Sequence, residues 1–136
     1  MSPKEEVQQV NEVRQVSEQI LAAATKGDFA PFVNALDDEV EVFDHVAYLF
    51  EGKGSFVAYL QSSGAGAESM TYGVHQPSYR AITDSTVVVN AYDRLAIVPK
   101  GGGLPKVQCG RMSWVYAKRG RDWKIVNAHF SPLPKE

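Results

Sequence analysis

The chain has 136 residues, the size of one domain, with 44% apolar and 22% charged residues and a formal net charge of −2. A domain of that length removes roughly 68–70% of its unfolded surface from water, enough for one core or pocket. The weak acidity excludes a nucleic-acid or membrane-surface protein, since phosphate binding needs a dense Lys/Arg stripe. The basic run Lys118–Arg121 falls at an expected turn and reads as solvated. A single cysteine, Cys109, excludes an intrachain disulfide and suits a reducing cytoplasm. The polar N-terminus carries no secretory pattern, and no apolar run reaches membrane-spanning length.

Residues 2–28 open with a capping box. Ser2 is placed to cap a helix, Pro3 suits its first position, and Glu5 reaches back to the cap. Val7, Val10, Val13, Val16, Ile20, Leu21 and Ala24 then form an apolar stripe at helical spacing. Gly27 ends this helix, and Asp28 is placed to cap a second, short one over residues 29–36. Residues 38–45 (DEVEVFDH) read as a short strand with Val40 and Val42 opposite Glu41 and Phe43. Residues 51–63 read as a turn and a short helix with Phe56, Val57, Tyr59 and Leu60 apolar.

From there the period changes to two. Residues 72–82 and 85–98 flank the turn TDS, and residues 107–119 and 123–131 flank GRD, giving two hairpins joined by the loop KGGGLPK. Helices first and a long antiparallel sheet after them define an α+β class. Because the long strands carry apolar residues on both faces, one face packs on the helices and the other needs a second surface, a copy of the same chain being the simplest.

Four stretches carry a family resemblance: FDHVAYLFEG, ITDSTVVVNAY, AYDRL, and the final hairpin SWVYAKRGRDWKIVNAHFSPLP. In their order and spacing they resemble the nuclear transport factor 2-like superfamily. Within it they resemble the SnoaL-like group and the association domain of calcium/calmodulin-dependent protein kinase II. The resemblance implies a single domain over residues 1–136, a cone-shaped α+β barrel whose curved, mostly antiparallel sheet surrounds a ligand pocket. It also implies a homodimer through the outer sheet face. Members include isomerases, cyclases and dehydratases as well as non-catalytic binding or oligomerisation domains, so the fold alone does not fix a reaction.

Arg94 sits in mid-strand beside Tyr92 at i−2, where a guanidinium needs an anionic partner. The resemblance to the kinase association domain implies an Arg94 buried in the pocket and holding a carboxylate-like ligand. An ion pair with Asp44 or Glu51 is the structural alternative. Where that domain has a pocket histidine and two further arginines, this chain has Phe56, Trp114 and Phe130. An aromatic pocket for a larger, partly apolar ligand is therefore expected, with Tyr59 as a further wall residue.

On the last strand Asn127, His129 and Ser131 share one face and Val126, Ala128 and Phe130 the other. The resemblance to the kinase domain turns Phe130 inward. A resemblance to metal-independent carbonic anhydrases on this fold, which use a His-x-Ser pair, turns His129 inward as a catalytic group. Asp44 ends the first strand at the expected pocket mouth, a position for proton transfer if apolar neighbours raise its pKa. His45, beside it, is expected on the opposite face. The histidines show no metal-ligand spacing, and no cofactor motif is present. The expected protein is thus a cytoplasmic small-molecule pocket protein, either a cofactor-free acid/base enzyme with Asp44 or His129 as catalytic group, or a binding module.

Overall fold

The computed structural model describes residues 1–134. Ser2 caps α1 (Pro3–Ala24): its Oγ accepts the Glu5 N–H at 3.2 Å and donates to the Glu5 carboxylate at 3.1 Å, so Glu5 returns to the hydroxyl of the cap and not to its backbone N–H. The helix closes with Asp28 N–H on the Ala23 carbonyl, which places Gly27 at φ +84°, a left-handed conformation that suits glycine. The buried stripe differs from the expected one. Val13, Ile20 and Ala24 are buried, together with Gln9 and Ser17, whereas Val7 is exposed because the first eight residues all face solvent. Ser17 is accommodated in the core by a 2.8 Å hydrogen bond between its hydroxyl and that of Tyr116.

After α2 (Ala30–Ala35) come β1 (Leu36–Phe43), β2 (Leu49–Glu51) and α3 (Lys53–Gly64). Four long strands follow: β3 (Ala67–Thr83), β4 (Thr86–Pro99), β5 (Lys106–Arg119) and β6 (Asp122–Pro132). The sheet order is β2-β1-β6-β5-β4-β3, and every pairing is antiparallel except β1 with β6. The six-stranded sheet is curved and not closed. Both expected hairpins form, with two-residue turns at Asp84-Ser85 and Gly120-Arg121. The short β2 is absent from the sequence reading because three residues carry too little period to register.

The α-helices cover one face of the sheet. There Val40, Val42, Val87, Val89, Met112, Trp114, Tyr116, Ile125, Ala128 and Phe130 are buried with Val13, Ile20, Phe32 and Phe56. The opposite face carries exposed Phe43, Tyr92 and Val107. A register shift between β5 and β6 takes up Val126 as the extra residue, so that Ile125, Ala128 and Phe130 all reach the core.

Candidate functional site

The concave face and the helices enclose a cavity of about 560 Å³. That volume lies within the range of small-molecule sites, roughly 300–1,000 Å³. The three helices and the four long strands contribute to its wall: Ile20 and Leu21 from α1, Phe32 from α2, Phe56 and Tyr59 from α3, Met70 from β3, Leu95 and Ile97 from β4, Trp114 from β5 and Phe130 from β6. The rings pack on one another, Phe32 on Trp114 at 5.4 Å and edge-on to Phe56 at 6.3 Å. The aromatic pocket expected from Phe56, Tyr59, Trp114 and Phe130 is therefore assembled in one place. The Trp114 side chain is only 1% exposed, and its indole N–H has no acceptor among the described residues.

Among the polar side chains that interrupt this apolar wall, Asp44, His45, Tyr72 and Asp93 carry the titratable groups that contact one another, beside the neutral Asn34, Gln61, Ser63 and Gln108. Asp44 and His45 both line the cavity, contrary to the expectation that only one would. β1 ends at Phe43, so the pair lies in the β1–β2 loop and escapes the strict alternation of a strand. The Asp44 carboxylate accepts the His45 backbone N–H at 2.7 Å and lies 3.0 Å from His45 Nδ1. That contact pins the imidazole with Nε2 left free of any hydrogen bond to the described residues. The two side chains are 14% and 22% exposed.

Asp93 is 4% exposed, in the middle of β4, and accepts the Tyr72 hydroxyl at 2.7 Å. Burial pushes its carboxyl above the usual carboxylate range, and the negative charge of Asp44 adds to this. The Tyr72 hydrogen bond and His45 oppose the shift without cancelling it. Burial and the Asp93 charge together push the Tyr72 phenol far above its ordinary range, so it stays neutral and donates. Space for Asp93 comes from Gly110, its partner on β5. A Cβ there would lie 2.8 Å from Asp93 Oδ1 and would also strike the Ser131 carbonyl. The mutual influence of Asp44, His45 and Asp93 means that the two polar pairs act on one region of the cavity.

Three expected site residues lie elsewhere. Arg94 is exposed, not buried in the cone: in β4 the inward set is Val87, Val89, Ala91, Asp93, Leu95 and Ile97, and Arg94 is one residue out of phase with it. It makes no ion pair with Asp44 or Glu51. Tyr92 shares its outward face and is 47% exposed. His129 also points outward, where its ring lies 5.6 Å from that of Phe43, because Phe130 occupies the inward position against Trp114 and Phe32. The His-x-Ser arrangement that would place a catalytic histidine in the pocket is therefore not formed. Asp93, at the variable position of the Ala-Tyr-x-Arg-Leu stretch, is the residue of that stretch that enters the cavity. The available signal was one acidic residue in phase with five apolar ones. Among the described residues, no group of three His, Cys, Asp or Glu is arranged to hold a metal ion.

A helix-covered, curved sheet enclosing an aromatic cavity with a few convergent polar groups defines a pocket protein of the nuclear transport factor 2-like class. The SnoaL-like domain matches residues 13–135, and the chain belongs to that family. The rabbit (Oryctolagus cuniculus) calcium/calmodulin-dependent protein kinase type II subunit delta is 24% identical over 125 residues, 90% of this chain. The chain spans about a quarter, 24%, of that relative's length. Among solved structures, a candidate scytalone dehydratase from Novosphingobium aromaticivorans superposes with a TM-score of 0.81 at 8% identity, covering 94% of this chain and 86% of the other. The S. rosetta CaMKII hub superposes with a TM-score of 0.73 at 22% identity, covering 98% of both chains. An NTF2-like protein of unknown function from Pseudomonas putida gives 0.77 at 20% identity, covering 96% and 89%. At these identities the structural likeness establishes the fold.

Proposed function

We propose that this protein is a cofactor-free acid/base enzyme of the isomerase, cyclase or dehydratase type, acting on a small, partly apolar organic molecule. The observation that carries the reading is the convergence of Asp44–His45 and Tyr72–Asp93 on one otherwise apolar cavity. Pairs of titratable groups in unlike environments divide acid and base roles between them. His45, with Nδ1 held by Asp44, presents Nε2 to abstract a proton from carbon. Asp93, held towards its protonated form by burial, is the group suited to protonate a carbonyl or leaving hydroxyl, with Tyr72 fixing its orientation. A fold relative described as a candidate scytalone dehydratase agrees with this class of reaction.

The test is catalysed hydrogen exchange. In deuterated buffer, bicyclic ketones incubated with the protein should gain deuterium at the carbon next to the carbonyl, read by mass spectrometry. His45→Gln should slow this by roughly 10²–10⁴. Binding of such ketones with no exchange by the wild-type protein would remove the enzyme reading and leave a binding module.

The outer face supports a homodimer. Phe43, Tyr92 and Val107 are large apolar side chains left in water there, on the face that the helices do not cover. Sedimentation should show a dimer at micromolar concentration, and a clean monomer would overturn it.

A further inference from the structure

The cavity's wall is electrostatically one-sided. Asp44 and Asp93 are its two acidic residues, His45 is its one histidine, and no lysine or arginine lines it among the described residues. The cation that stands closest in sequence, Arg94, is exposed on the sheet's other face. We infer that this cavity selects organic cations, an ammonium group on an aromatic body, over anions of the same shape. The inference names a substrate class for the reaction site proposed above and rests on that cavity being the site.

Two independent features meet in it. An anion entering the cavity would lose its water and gain no fixed positive partner, which is costly in an apolar enclosure. It would also add to the repulsion that Asp44 already exerts on Asp93. A cation avoids both costs, since it gains the Asp44 carboxylate as a partner while Asp93 keeps the proton that burial favours. The aromatic walls act in the same direction. Phe32, Tyr59 and Phe130 line the cavity, and the negative quadrupole of an aromatic ring attracts cations and not anions. Together these call for a positive end beside Asp44 on an apolar, aromatic body.

The experiment uses one scaffold with three end groups: 6-methoxynaphthalene carrying an aminomethyl, a hydroxymethyl or a carboxylate group at position 2. Affinities are measured by calorimetry at pH 7 for the wild-type chain and for Asp44→Asn/Asp93→Asn, with circular dichroism to confirm that the variant is folded. The amine should bind the wild type at least about tenfold tighter than the carboxylate. The ratio of amine to alcohol affinity should fall towards one in the double variant. If that variant does not fold, Asp44→Asn alone should lower the same ratio. Equal or tighter binding of the carboxylate, a ratio unchanged by the substitutions, or failure of all three compounds to bind would overturn the inference. Cation selectivity without any ketone exchange would leave the inference standing and remove the reaction reading.

Discussion

The two faces of one sheet, built from alternate residues of the same strands, differ in kind. On the concave face the helices and a ring of aromatics exclude water, and a few acids and one histidine are held by specific partners. On the convex face Tyr92, Arg94, His129 and Phe43 stand in water. A charged side chain is ordinary on the convex side, where solvent screens it. On the concave side it is costly, and retaining it calls for a hydrogen-bond partner or a task. Arg94 and Asp93 are adjacent in sequence, yet only Asp93 is in the environment where a charge changes its chemistry. That contrast locates function by face, and not by residue type.

The contrast is most sharply tested by truncating one large residue on each face. Trp114→Ala removes a fully buried ring that touches Phe32, Tyr116 and Phe130, and should cost about 3–5 kcal/mol in urea unfolding. Tyr92→Ala, on the exposed face, should change monomer stability by no more than about 0.5 kcal/mol. A Tyr92→Ala loss as large as that of Trp114→Ala, measured at a concentration where sedimentation shows a monomer, would break the comparison. The acid/base groups give the next test. Asp44→Asn and Asp93→Asn should each slow ketone exchange by roughly 10²–10⁴, that is by about 2.7–5.4 kcal/mol, while His129→Asn leaves it unchanged. An exchange rate that follows His129 would move the chemistry to the convex face.

Much of this architecture was legible because it rests on strong periods. The capped first helix, the two hairpins and their two-residue turns follow from local chemistry that tertiary contacts did not override. The aromatic wall came from the family resemblance, which matched Phe56, Trp114 and Phe130 to pocket positions, and these residues line the cavity. The polar site was not legible. A motif led to Arg94, while the phase of β4 pointed to Asp93, and phase decides orientation in a strand with a buried face. Tyr72 belongs with Asp93 through a contact 21 residues away in sequence, which no local pattern encodes. His45 joins Asp44 in the cavity because the strand ends at Phe43, two residues before the expected end at residue 45, and strand ends are the least determined part of a pattern.

A smaller effect sharpens the account of the concave face. The carboxyl of Asp93 is raised above its ordinary value in the folded chain. Between the unfolded and the folded pKa the native state therefore binds more protons than the unfolded state, and stability falls as pH rises through that window. The contribution is full below the unfolded value of 3.8 and is lost as pH climbs through the raised folded value. Asp93→Asn removes this slope. The difference in Tm between the wild type and Asp93→Asn should change steadily from pH 4 upward, with the wild type losing ground. A difference that stays flat over that range would mean that Asp93 is not desolvated.

The smallest expected effect is that of Arg94→Met, and it is the one that most directly separates the faces. A buried arginine would leave an uncompensated partner on removal, at a cost of about 3–5 kcal/mol. Arg94 is exposed and makes no ion pair with any described residue, so that penalty has no source. Stability should shift by no more than about 0.5 kcal/mol. Affinity for the methoxynaphthalene amine should be unchanged, because the cavity's lining does not include Arg94. The carboxylate analogue should bind no more weakly to Arg94→Met than to the wild type, since no anion-holding role is assigned to that side chain. A selective loss of carboxylate affinity in this variant, read by the same calorimetry, would place the guanidinium inside the cavity and reverse the phase assigned to β4.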